Sequence, residues 1–170
     1  MQYQGRLRGA ARSEKRWLEE NMKTDDRPVP YDEFLHICQA TKGRFAFLET
    51  MGLRLTEEQW PTGDSFKDGF QLTYTGSVVS VLIEYYDMEL VIWFQKERER
   101  VPYLFLDQEL AANRSGFAGC MFPRNKLAVA VDRMAEDIRL NYDQILRGDK
   151  DVWARVVALW HAPREKRKLP

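Results

Sequence analysis

The chain has only two cysteines and two histidines among 170 residues, and its net charge is zero. Two thiols, Cys38 and Cys120, are too few for a secreted disulfide framework, and both lie in segments that otherwise read as apolar. Reduced, packed thiols are expected. No run approaches the ~18 consecutive apolar residues of a membrane span, and the N-terminal stretch is basic and rich in Gly and Ala instead of carrying a secretory apolar core. A cytoplasmic protein is the expectation. Signature loops are missing as well: there is no phosphate-binding glycine loop, no Gly-x-Ser-x-Gly elbow, no His-Glu-x-x-His and no Cys-x-x-Cys. The common reaction classes that use them are disfavoured, and neither a catalytic residue nor a cofactor or metal is expected.

What is present is an ordinary globular composition, 44% hydrophobic and 12% aromatic, in a chain long enough to bury roughly 70% of its unfolded surface as one domain. The 26 basic and 26 acidic residues are unevenly spread. Residues 1–27 hold 7 basic and 5 acidic side chains and residues 161–170 hold 4 and 1, leaving 15 against 20 in the middle. A mildly acidic domain is therefore framed by basic ends. Because acids interleave with the bases, a nucleic-acid partner is not expected to be primary.

Ser13 is placed to cap a short helix to Met22 before the prolines at 28 and 30, so residues 1–30 read as an extension, 31–162 as a single α+β domain and 163–170 as a basic tail. From Asp32, taken as the N-cap, Phe34, Ile37, Cys38, Thr41, Phe45, Leu48 and Met51 recur at helical spacing, with Gly43 a point where the run divides or merely weakens and Gly52 its end. Residues 53–69 read as a connection anchored by Trp60 and Phe66. The period then changes to two. Residues 70–74, 78–86 and 90–94 form a three-stranded antiparallel β-meander, its middle strand covered on much of both sides. The charged run 96–100 reads as a solvated loop or strand extension that ends the sheet, and 101–106 as either a fourth strand or, the preferred reading, the approach to a short helix capped by Asp107. After Pro123, Leu127, Val131, Met134, Ile138, Tyr142 and Ile145 define a long helix ending at Gly148, and Asp149 caps a last helix through Trp153 and Trp160. The expected order is α-βββ-(α)-α-α, helices packed on an antiparallel sheet.

Candidate chemistry is sparse. His36 and Cys38 are two apart on a helix and point roughly 200° from one another, so they cannot share a metal or pair as base and nucleophile. His161 ends the last helix, where the dipole favours it. Asp132 and Glu136 share a helical outer side with Arg133 and Arg139, which reads as a solvated charged face. Glu84, Asp87 and Glu89 cluster around a hairpin turn on a rigid sheet and are the candidate partner-binding residues.

Phe45-Ala46-Phe47-Leu48 with Met51-Gly52-Leu53, Leu72-Thr73-Tyr74-Thr75-Gly76 leading to Val81-Leu82-Ile83-Glu84-Tyr85-Tyr86-Asp87, and Leu146-Arg147-Gly148-Asp149 with Trp153 together give residues 31–160 a likeness. The chain resembles small bacterial immunity-protein-type domains of polymorphic toxin systems. The resemblance, made of packing and turn residues, implies a protein that binds and occludes a toxin without chemistry of its own. Two alternatives stand beside it: a nucleic-acid-associated accessory protein using the basic termini, and an enzyme whose carboxylate site is assembled by the fold. Oligomeric state is open.

Overall fold

A computed structural model describes residues 29–62, 69–110 and 119–162. The expected short helix at 13–22 and the basic tail at 163–170 lie outside the described residues. Helix α1 (Tyr31–Arg44) is followed by a single turn α2 (Phe47–Thr50), then by strands β1 (Arg54–Gln59), β2 (Phe70–Thr75), β3 (Ser80–Tyr86), β4 (Glu89–Lys96) and β5 (Glu99–Pro102). Helices α3 (Tyr103–Leu110), α4 (Arg124–Asn141), α5 (Asp143–Leu146) and α6 (Lys150–His161) complete the order. The sheet is an antiparallel meander in sequence order, β1-β2-β3-β4-β5.

The class is α+β, but the sheet has five strands where three were expected. Both additions are edges. Strand β1 hid because it faces solvent along nearly its whole length: only Leu55 is drawn toward the core, opposite Tyr74, so there is no apolar alternation to read. A bulge between Leu55 and Glu57 breaks its register further. Strand β5 is the end of the charged run 96–100 plus Val101 and Pro102; Val101 alone is fully buried, and a proline is tolerated because the strand is an edge. Residues 101–102 are thus strand, the alternative reading of this segment, and the helix begins at Tyr103, so Asp107 lies inside it instead of capping it.

Helix starts and stops follow local chemistry. Asp32 is not the N-cap: Pro30 holds that position and the first helical residue is Tyr31, which leaves Asp32 in the first turn, where its charge suits the dipole. The run to Met51 does divide, after Arg44. Gly52, at φ +88°, ends α2 in a Schellman motif: Leu53 N donates to Leu48 O at 3.1 Å and Gly52 N to Glu49 O at 3.0 Å. The long helix stops at Asn141, and Tyr142 turns the chain into α5. Asp149 caps α6 as its spacing predicts, accepting from Asp151 N and Val152 N, both at 3.0 Å.

The core lies between the sheet and one helical layer. From the sheet come Phe70, Leu72, Tyr74, Val81, Ile83, Tyr85, Leu90, Ile92, Phe94 and Val101; from the helices come Phe34, Phe45, Leu48, Leu127, Met134, Ile138 and Trp153, all buried. Ring contacts tie the layers: Phe34 to Tyr85 at 5.8 Å, and Phe94 stacked on Tyr142 at 5.8 Å. Hydrogen bonds at the margin do the same. Tyr103 Oη donates to Asp137 at 2.9 Å, Tyr85 Oη to Phe122 O at 2.9 Å and Lys96 Nζ to Gly148 O at 2.8 Å.

The β3–β4 hairpin turns through Asp87 and Met88, both left-handed at φ 51° and 67°, the type I′ geometry that suits Asn-Gly far better than Asp-Met. Met88 holds this conformation while its carbonyl accepts from Phe122 N at 2.7 Å, and Leu90 N donates to Cys120 O at 2.8 Å. Met88→Gly keeps both backbone bonds and removes the Cβ cost, so it is expected to stabilise the protein by about 0.5–1 kcal/mol, read as a higher urea midpoint at unchanged slope.

Candidate functional site

Register decides which side chains share the second face of the sheet. Across it run the rows Glu57, Thr73, Leu82, Trp93, Pro102 and Gln59, Gln71, Glu84, Val91, with Tyr86 opposite Glu89 at the hairpin end. The helical contacts described above all belong to the other face. Among the described residues the helices cover only the first face of the middle strand, and on the second face the expected cover holds in part: Leu82 is buried beside Trp93. Val79, Val81, Ile83 and Tyr85 are buried, whereas Glu84 is half-buried and Tyr86 is 61% exposed.

An antiparallel sheet with one wet face normally places polar residues there. This face carries Leu82, Tyr86, Val91 and Trp93 among its polar residues. Next to them an open groove of about 630 Å³ runs from Trp60 and Pro61 across Gln71, Glu84 and Val91 to Tyr86, Glu89 and Trp93. At its base Gly69 approaches strand β3 so closely that a Cβ there would collide with the Tyr85 carbonyl oxygen, so only glycine fits.

Two of the three expected partner-binding residues meet in this groove. Glu84 lies on its floor, where Trp93 Nε1 donates to Oε2 at 2.8 Å, and Glu89 stands at its rim. Asp87 does not join them: it sits exposed in the hairpin turn and does not line the groove. Among the described residues no Lys or Arg pairs with Glu84, Asp87 or Glu89. Glu57, farther along the face, is held by Gln71 Nε2 and Thr73 Oγ1, both at 3.3 Å. Arg100, on β5, places its guanidinium 5.7 Å from the Trp93 ring centroid and donates to Gln95 Oε1 at 3.1 Å.

Trp60, Tyr86, Val91 and Trp93 were not singled out from the sequence as binding residues. Residues 90–94 read as one apolar run, and only the pairing of Leu82 with Trp93 shows that the tryptophan turns away from the core. The other sequence candidates have structural roles. Cys38 is buried and desolvation pushes its thiol up to about 12, while His36 on the same helix is exposed, so they do not converge. Cys120 is half-buried; burial, and then the nearby Glu89 carboxylate, raise its thiol pKa, the reverse of what a nucleophile needs. His161 Nε2 lies 2.8 Å from Glu99. Asp132 pairs with Arg44 and Glu136 with Arg139, both at 2.8 Å on exposed helix surface.

Among the described residues no group of His, Cys, Asp and Glu is arranged to hold a metal ion, and no helix is long and apolar enough to cross a membrane. The basic termini on which a nucleic-acid reading rests lie outside the described residues. No family model, curated protein or solved structure matches the chain.

Proposed function

We propose that this chain is a protein-binding domain that acts by occlusion, laying the sheet face that carries Tyr86 and Trp93 against a partner protein, as the immunity-type domains it resembles do with a toxin. The observation that carries the reading is the second face of the five-stranded sheet, on which no helix packs among the described residues and which presents Tyr86, Val91 and Trp93 around two carboxylates that have no basic partner among those residues. Exposed aromatic surface rimmed by polar groups is the usual make-up of a protein interface. Such a face needs no reaction to do its work. A central tryptophan and tyrosine are the residue types that carry most binding energy at an interface.

The test is co-expression with the product of a toxin-like reading frame beside this gene. The chain is expected to restore growth and to co-purify with that product, and Trp93→Ala with Tyr86→Ala is expected to abolish both while leaving the protein folded. Continued growth arrest in the presence of the folded wild-type chain overturns the proposal.

A further inference from the structure

The groove has a more specific chemistry than a general contact surface. Glu84 and Glu89 lie on the same face of adjacent strands as diagonal neighbours, Glu84 opposite Val91 and Glu89 two residues before it, a separation of about 7–8 Å between backbones. Tyr86, an exposed phenol, stands opposite Glu89 and two residues from Glu84, and the indole of Trp93 lies on the side of Glu84 away from Glu89. Two carboxylates without a cation among the described residues, flanked by two electron-rich rings, form a receptor for a planar cation. The indole already accepts one from its own chain: the Arg100 guanidinium lies over the Trp93 ring at 5.7 Å. The indole N–H holds Glu84 Oε2 in place, which fixes one carboxylate relative to the ring without spending its other oxygen.

We infer that this groove seats an arginine side chain presented by the protein partner, its guanidinium bridging Glu84 and Glu89 and stacking on the exposed Tyr86 ring beside them. The inference rests on the protein-binding reading above and names the chemistry of the partner's anchor. Arginine is favoured over lysine because its flat fork bonds two carboxylates at once and stacks on a ring, whereas an ammonium is a compact, strongly hydrated point charge. The charge balance of the chain agrees, since residues 28–160 are net acidic while the complementary surface must be basic.

The experiment uses the full chain and three defined peptides, hexa-arginine, hexa-lysine and hexa-citrulline, titrated by tryptophan fluorescence and calorimetry at low and at physiological salt. Hexa-arginine is expected to bind at least 10-fold more tightly than hexa-lysine, and hexa-citrulline not at all. Glu84→Gln and Glu89→Gln, which preserve shape, are each expected to weaken hexa-arginine at least 10-fold, as is Trp93→Ala; Glu136→Gln, on the helical face, is expected to change nothing. Equal binding of hexa-citrulline, or an equal loss with Glu136→Gln, overturns the inference. Co-expression is scored separately. Neutralisation without groove-dependent arginine binding sinks only the arginine anchor; groove-dependent arginine binding without neutralisation sinks only the occlusion reading.

Discussion

Phe94→Ala is expected to cost about 3–5 kcal/mol of stability, and Trp93→Ala, one residue earlier on the same strand, only about 1–2 kcal/mol. The contrast follows from the pleat. Phe94 is fully buried, flanked in register by Val81 and Val101 and stacked on Tyr142 at 5.8 Å with an interplanar angle of 11°. Truncating it removes a ring from the middle of the core layer that joins sheet and helices, and neither neighbouring strand can move in to fill the space. Trp93 lies on the other face between Leu82 and Pro102, and its loss exposes those neighbours to water without opening a cavity. Urea denaturation of the two variants beside wild type is the check. A Trp93→Ala cost equal to that of Phe94→Ala would mean that the second face is packed and unavailable to a partner, and the proposed interface would fall with it.

The same alternation explains what was readable in the sequence. Strands β2 to β4 announce themselves because every second residue from Phe70 to Phe94 must be apolar to meet the helices. Helix α4 does so because Leu127, Val131, Met134 and Ile138 are buried at the spacing of its turns. An edge strand carries no such obligation. Arg54–Gln59 sends one side chain inward and Glu99–Pro102 one fully, so the burial that writes period two into a sequence is absent from both. For the groove, the acids were legible and the aromatics were not. Glu84 and Glu89 stand out as charges in apolar strands, whereas Trp93 looks like core until the register with Leu82 places it outside, and Trp60 belongs to a segment that reads as a connection. Asp87 was grouped with the glutamates because it is their neighbour in sequence; the left-handed turn takes it out of the groove.

Gly148→Ala is expected to destabilise the protein by about 2–4 kcal/mol, and Gly52→Ala by only about 1 kcal/mol, although both glycines end a helix in the same Schellman geometry. At Gly52 the backbone is left-handed, φ +88°, but nothing lies within 4 Å of a new Cβ, so alanine meets only the conformational penalty, partly offset by a less flexible unfolded chain. At Gly148, φ +70°, a Cβ would also stand 2.5 Å from Val78 Cγ1 and 3.1 Å from Val79 Cγ2. Val79 is buried and cannot yield, and Val78 is a short branched side chain on the β2–β3 turn whose retreat means moving that turn. The Gly148 carbonyl additionally receives Lys96 Nζ at 2.8 Å, and the next residue caps α6, so the junction is pinned on three sides. Subtracting the Gly52 cost from the Gly148 cost isolates the packing of the α5–α6 corner on the β2–β3 turn, with urea midpoints of the two variants as the measurement. Equal costs would show that this corner does not press on the sheet, and that the last helix is held by its other contacts: Trp153, Val156, the Trp160 ring on Phe105 and the Asp149 cap among them.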